Sequence, residues 1–222
     1  MHQTVKKLDS IKNKVKEIIT KKQLKTDPQI VVVSKTFEIN KVIPMLEAGH
    51  IHFGENKVQE AETKWSSIKT KYNNIKLHMV GGLQSNKAKN AIEIFDYIHS
   101  LDNEKLANKI SKYQNELNKK SKLFIQVNLA KEKKKSGIFL SELRSFFIYC
   151  TKELSLNIIG LMCLPPYNFD SNKYFSMLKK NAQDLNLNEL SMGMSSDYEQ
   201  AVINGSTFLR LGTAILGERN PK

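Results

Sequence analysis

Arginine is nearly missing from a chain that is otherwise strongly basic. Of 35 basic residues only Arg144, Arg210 and Arg219 are arginine; the other 32 are lysine, and the formal net charge is +13. Proteins that read base edges and phosphate backbones lean on the planar guanidinium fork. Here lysine is spread along nearly every helical segment, mixed with asparagine and isoleucine, which reads as a compositional bias rather than a patch. Attraction to anions follows; sequence-specific nucleic-acid recognition does not, although a nucleic-acid-binding module stays open as a third reading. Cysteine is scarce too. Cys150 and Cys163 make neither a disulfide framework nor a zinc motif, so they read as reduced thiols of a cytoplasmic protein. No apolar run approaches the ~20 residues of a membrane span, and the lysine-rich residues 1–25 lack an apolar signal core. There is no serine elbow, no convincing acid/base pair of carboxylates and no Gly-x-Gly-x-x-Gly turn after the first strand. No Pro/Gly/Ser-rich linker divides the chain. One domain is expected over residues 1–222, with a leading helix in 1–26 and a barrel in 30–219.

What is present is a repeated change of hydrophobic period. Residues 3–25 carry Val5, Leu8, Ile11, Val15, Ile18 and Ile19 at helical spacing, and Asp27-Pro28 stops that helix. Residues 30–35, Ile-Val-Val-Val-Ser-Lys, then read as a strand buried on both faces. A helix over 38–48 follows, ending at Gly49. Further strands are predicted at 51–53, 76–80, 97–101, 123–129, 157–164, 190–192 and 207–211, with helices between them. Eight strands alternating with helices imply parallel pairing through right-handed crossovers. The expected fold class is α/β, a single (β/α)8 TIM barrel with an extra N-terminal helix; a doubly wound open sheet is the alternative.

In such a barrel the chemistry sits at the C-terminal strand ends. Lys35 ends the first strand. A lysine desolvated there has a lowered pKa and is a nucleophile toward aldehydes, against the bland reading of a solvated loop residue. Met192-Gly193-Met194-Ser195-Ser196-Asp197 and Arg210-Leu211-Gly212-Thr213 follow strands seven and eight, where barrels often bind phosphate; the plain alternative for Ser195 or Ser196 is a helix cap. Arg210 lies inside an apolar strand. Turned inward it needs an acceptor, and turned outward it pairs with a helix carboxylate. His50 and His52 share a face of one strand without a further ligand at metal spacing, so no metal site is expected. His78 faces either the barrel mouth or the core. Lys87 and the lysines within 131–135 are candidates for steering an anion, beside the plainer reading as solvated helix ends.

Several stretches, taken in order, resemble one family. They are Val33-Ser34-Lys35-Thr36, then Phe53-Gly54-Glu55-Asn56 with Val58-Gln59-Glu60, then His78-Met79-Val80-Gly81-Gly82-Leu83-Gln84-Ser85-Asn86-Lys87. Later come Gln126-Val127-Asn128, Lys135-Ser136-Gly137, Leu190 to Asp197, and Arg210 to Gly217. Together they are similar to the pyridoxal phosphate homeostasis proteins, from about Val5 to Arg219. The departures, at Phe37, Gly82 and Leu216, touch no cofactor contact. The resemblance implies a fold-type III barrel related to the N-terminal domain of alanine racemase, binding pyridoxal 5′-phosphate (PLP). It implies that Lys35 forms a Schiff base with the cofactor aldehyde. Ser195, Gly212 and Thr213 hold the phosphate, Arg210 faces the pyridine nitrogen, and Asn56 sits on the ring-hydroxyl side. His78 belongs to a motif near the site.

A guanidinium beside the pyridine nitrogen disfavours its protonation, which makes the ring a poorer electron sink. Racemases of this barrel type add a general base from a second domain or subunit; ending at Lys222, this chain is expected to lack one. The expectation is therefore a cytoplasmic, monomeric PLP carrier that stores or delivers the cofactor, possible recipients being apo-forms of PLP-dependent enzymes. A minimal PLP-dependent amino-acid racemase or lyase is the alternative.

Overall fold

The computed structural model describes residues 1–132, 135–166 and 169–218; Arg219 and two lysines of the 131–135 run lie outside the described residues. Eight strands alternate with helices: β1 (Gln29–Val33), β2 (His52–Glu55), β3 (Lys76–Met79), β4 (Tyr97–Leu101), β5 (Lys122–Val127), β6 (Ile158–Cys163), β7 (Glu189–Ser191) and β8 (Phe208–Leu211). They pair in chain order, and β8 returns to β1, so the sheet is a closed parallel barrel. The closing register sets Val31 against Arg210. The open-sheet alternative is therefore excluded.

Nine helices are described: α1 (Gln3–Lys22), α2 (Ile43–Glu47), α3 (Val58–Lys71), α4 (Ala88–Ile94), α5 (Glu104–Glu116), α6 (Leu140–Ile148), α7 (Ser171–Asp184), α8 (Tyr198–Ile203) and α9 (Thr213–Leu216). Successive strand residues point to opposite faces, and the two faces are filled differently. Outward side chains such as Val32, Leu77, Ile98, Ile125, Leu161 and Leu209 join the layer shared with the helices. Inward ones form a small cluster of Val31, Tyr97, Phe124, Met162 and Phe208. Barrel interiors are usually dominated by Val, Ile and Leu; this one is aromatic and, as described below, rich in imidazole.

The leading helix packs against α8 and α9 through a stripe that includes Val5, Leu8, Ile11 and Val15. It stops three residues short of the predicted end because Gln23 adopts a left-handed conformation (φ 51°) and returns its N–H to the last carbonyls. The predicted helix over 38–48 is broken into a 3-10 turn, Ile39–Lys41, and the short α2, which Pro44 helps to start. β1 ends at Val33, so Lys35 belongs to the turn beyond the strand rather than to the strand itself.

Candidate functional site

The C-terminal ends of the strands surround a cavity of about 1040 Å³. Lys35, Asn56, Ser195, Arg210, Gly212 and Thr213 all line it. Six of the seven residues singled out from sequence are thus brought together, although they come from strand ends scattered along almost the whole chain. The seventh, His78, is placed differently. It is fully buried and absent from the cavity lining, because at its position in β3 it points into the barrel interior below the cavity floor.

The loops after β7 and β8 are locked together around one hydroxyl. Ser195 Oγ accepts from the backbone N–H of Gly212 at 3.3 Å and of Ala214 at 3.2 Å. Its own O–H is left to donate elsewhere. The loop that carries it needs Gly193, whose φ is +91° and where a Cβ would lie 2.5 Å from that of Ala201. Across the cavity Gly81 is needed for a different reason. A Cβ there would lie 2.4 Å from the Asn56 carbonyl oxygen, so the β3 loop lies against the Asn56 backbone only because the side chain is missing.

Arg210 points inward. Its Nη1 donates to Ser191 Oγ at 2.6 Å and its Nη2 to the Cys163 carbonyl at 2.9 Å. The residue is 5% exposed. Among the described residues no carboxylate lies within ion-pair distance of it. Burial lowers the guanidinium pKa, but arginine stays charged in proteins.

Below Arg210 runs a chain of histidines. Ser191 Oγ meets His99 Nδ1 at 2.7 Å, His99 Nε2 meets His78 Nδ1 at 2.9 Å, and His78 Nε2 meets His52 Nδ1 at 2.9 Å. Because Arg210 can only donate to Ser191, the serine O–H is available for His99, and each following ring then carries its proton on Nε2. The rings also stack: His78 on Tyr97 at 4.2 Å and His99 on Phe124 at 4.3 Å between centroids. Burial holds His78 and His99 well below the ordinary imidazole value, helped by the neighbouring rings and by Arg210 respectively. His52 falls to about 4 through burial and the nearby Lys76. His50, whose Nε2 donates to the His52 carbonyl, falls to about 4 through burial and Lys12. His50 and His52 thus belong to a buried polar core, and no group able to hold a metal is found among the described residues.

Sequence reasoning missed His99 and Ser191, which complete this chain, and a charged cluster of Glu55, Glu60 and Lys64 beside β1. Period-two spacing within β4 (Tyr97, His99) and β8 (Phe208, Arg210) is the signal that puts His99 in the barrel. Glu60 and Lys64 stand four apart on α3, the spacing of a helix ion pair.

The six predicted residues offer a primary amine, a buried cation, two hydroxyls and an amide, and Asp197 adds a carboxylate to the lining. That set fits an anionic ligand carrying an electrophilic carbonyl, which is the chemistry of a phosphorylated pyridine aldehyde. Among the described residues no helix is long and apolar enough to cross a membrane.

Comparison with known proteins agrees with this chemistry. The chain matches the alanine racemase N-terminal domain family over residues 7–220. It is 38% identical over 200 residues to the pyridoxal phosphate homeostasis protein of Synechocystis, covering 86% of this chain and 91% of that one. It is 32% identical to the protein of the same name from Escherichia coli, covering 86% of each. PipY of Synechococcus elongatus, solved with PLP bound, superposes with a TM-score of 0.81 at 34% identity, over 91% of this chain and 100% of PipY. Alanine racemase of Clostridium difficile superposes with a TM-score of 0.68 at 14% identity, over 95% of this chain and 56% of the racemase, a likeness of fold alone. The chain belongs to the pyridoxal phosphate homeostasis protein family, within the wider alanine racemase N-terminal domain family.

Proposed function

We propose that this barrel binds pyridoxal 5′-phosphate and holds it in reserve rather than turning over substrates with it. The observation that carries the reading is the meeting of Lys35, Ser195, Arg210, Gly212 and Thr213 on one cavity. The Lys35 amine is the group that holds the aldehyde carbon covalently. Ser195, Gly212 and Thr213 receive the phosphate, with backbone N–H groups and hydroxyls as donors. Arg210 meets the ring nitrogen, and Asn56 meets the ring-hydroxyl side. His78 acts from below, through His99 and Ser191, rather than by contact.

Bound PLP supplies an electron sink whose strength depends on a proton at the ring nitrogen. Arg210 withholds that proton, since a permanent cation at the same nitrogen repels it. The chain acts as one domain and as a monomer inside the cell, lowering free PLP and passing it to apo-enzymes. The alternative, a minimal amino-acid racemase or lyase, draws support from the size of the cavity, about 1040 Å³, whose lining also includes Gln126, Asn128 and Ser136.

The visible absorption spectrum of wild type and Lys35→Ala with added PLP tests the central claim. A band present in the wild type and lost in the variant is expected; no band in either refutes it. Incubating the loaded protein with L- and D-amino acids in deuterated water then separates the two readings. Slow or undetectable α-proton exchange is expected of a carrier, and rapid exchange would establish the enzyme.

A further inference from the structure

Lys35 stands between two peptide groups that are both held by the same cluster of charges. On one side the Ser34 carbonyl accepts from Lys64 Nζ at 2.8 Å. On the other the Thr36 N–H donates to Glu60 Oε1 at 2.5 Å. Lys64 joins the two holds, since its ammonium also donates to Glu60 Oε1 at 3.0 Å and to Glu55 Oε1 at 2.9 Å. Glu55 is fully buried in the wall between β2 and α3, where the same oxygen accepts from Ser34 Oγ at 2.7 Å and from Trp65 Nε1 at 3.0 Å. Burial alone would raise the Glu60 carboxyl, but the Thr36 N–H and the Lys64 ammonium outweigh it and hold it below its ordinary value.

The cluster grips a conformation that the sequence does not favour. Thr36 has φ +68°, the left-handed region, which a β-branched residue rarely enters. Left to itself a Thr at that position turns back to negative φ, and the backbone rotation carries the preceding Lys35 with it. A strained residue persists where its surroundings over-determine it, and here the hold comes from α3.

We propose that Glu60 and Lys64, braced by Glu55, are positioning residues that fix the left-handed turn after Lys35 and so aim its amine into the cavity. The inference rests on Lys35 being the covalent holder of PLP. None of the three carboxylate and ammonium groups lines the cavity, so the role is exerted through the backbone. The ion-pair spacing of Glu60 and Lys64 would otherwise read as an ordinary helix-surface pair; what sets it apart is the two backbone groups it holds from 24 and 30 residues away.

The test uses Glu60→Ala, Glu60→Gln and the double variant Thr36→Gly with Glu60→Ala. Lys64→Met is avoided as the main variant because it strands Glu55 as a buried, unpaired charge and risks the fold. Glu60 is partly exposed, so its loss is tolerable. Two quantities are read: the rate of PLP attachment at Lys35, followed by absorbance, and the labelling rate of Lys35 in the cofactor-free protein by a lysine-selective reagent, followed by peptide mass spectrometry across pH. Losing the hold on an αL threonine shifts its population by about tenfold, so Glu60→Ala should slow both rates by about tenfold. Glu60→Gln keeps an acceptor for Thr36 and should lose less. Thr36→Gly should restore most of the rate to Glu60→Ala, because glycine enters the left-handed region freely. Both rates are read under conditions where urea unfolding shows every variant folded, so that a general loss of stability does not stand in for the positioning role. If Glu60→Ala leaves both rates at the wild-type value, or Thr36→Gly fails to rescue it, the positioning role is wrong. If instead Lys35→Ala attaches PLP as well as wild type, the cofactor assignment itself has failed.

Discussion

Acid should destabilise this barrel above the pH at which an ordinary carboxylate protonates. The cause is the histidine chain. His50, His52, His78 and His99 are all buried, and their packing keeps them neutral when folded. In the unfolded chain each charges with a pKa near 6.5. Below that pH the unfolded state therefore binds more protons than the folded state, and stability falls as pH drops. For His50 and His52, with folded values of about 4, lowering the pH from 7.5 to 5 costs about 2 kcal/mol each. Burial lowers His78 and His99 in the same direction, so they add to the loss. Domains of this kind have about 5–15 kcal/mol in total. Glu60 adds nothing in this window, because its folded value is depressed and its contribution is lost only at lower pH. Asp102, raised by burial, works in the opposite sense and trims the loss. Urea unfolding followed by the fluorescence of the single, fully buried Trp65 gives the free energy at each pH. A fall of at least 3 kcal/mol between pH 7.5 and 5 is expected, with ring-nitrogen NMR signals of His78 and His99 unchanged down to pH 5. A free energy flat to within about 1 kcal/mol, or a folded-state titration of either inner ring near its ordinary value, would sink the account.

Three further outcomes follow from particular contacts. Arg210→Met should leave Ser191 Oγ and the Cys163 carbonyl without their donor, costing about 2–4 kcal/mol in urea unfolding, and should weaken PLP retention in equilibrium dialysis. Ser195→Ala removes the oxygen that ties Gly212 and Ala214 to the β7 loop; a roughly tenfold weaker PLP affinity, about 1.4 kcal/mol, is expected, with the phosphorus NMR signal of bound cofactor altered. Gly160→Ala would press a Cβ to 2.0 Å from the Glu189 carbonyl oxygen where β6 and β7 begin to pair, whereas Gly82→Ala meets nothing within 4 Å. The first should lower the melting temperature by 10 °C or more or abolish soluble protein, while the second should be neutral or slightly stabilising, by about 0.4–1 kcal/mol.

The barrel was legible because its signals are local. Each strand is a short apolar run, closed in all but the first by Gly, Pro, Asn or Asp, and each helix returns to a 3.6-residue period, so eight units emerge from counting. Where the boundaries slipped, a single residue explains it: Gln23 in the left-handed region, Pro44 at the start of α2, and the turn at Ser34 that leaves Lys35 beyond β1. The cavity lining was legible for a related reason. In a barrel the strand ends converge whatever their separation in sequence, so Lys35 and Thr213 meet without any pattern linking them. The histidine chain was not legible, because its links join residues 26, 21 and 92 apart and depend on which face of each strand turns inward. His78 was accordingly left between mouth and core, and the inward face of β3 put it in the core. The charged cluster was hidden by its own ordinariness: a Glu and a Lys four apart on a helix look solvated until α3 packs them under the turn after β1.

The two hidden systems share a physical logic that bears on why this cavity would hold PLP without exploiting it. Both end at a cation lining the cavity, Lys35 in one case and Arg210 in the other. Around Lys35 the neighbouring charges are arranged outside the barrel, where Glu55 and Glu60 are answered by Lys64 and none of the three reaches the lining. On the inference above, the amine is aimed through its backbone while Glu55 and Glu60 stay out of the cavity lining. Inside the barrel, the hydrogen bonds of Arg210 go to neutral acceptors, a hydroxyl and a carbonyl with uncharged imidazoles behind the hydroxyl, and the Asp197 carboxylate acts on it only from beyond ion-pair distance. A carboxylate in that position would have cancelled the guanidinium charge. Neutral dipoles satisfy its hydrogen bonds and leave the charge intact, directed at whatever occupies the cavity. On the proposed reading, in which Arg210 faces the ring nitrogen of PLP, that charge would add affinity for the anionic cofactor and would disfavour the ring proton that carbanion chemistry requires. Imidazoles kept neutral by burial are what make this possible, since a protonated ring in the chain would repel Arg210 and a carboxylate would quench it. The polar interior expected to make the barrel acid-sensitive would, on the same reading, also favour retention of the cofactor over catalysis.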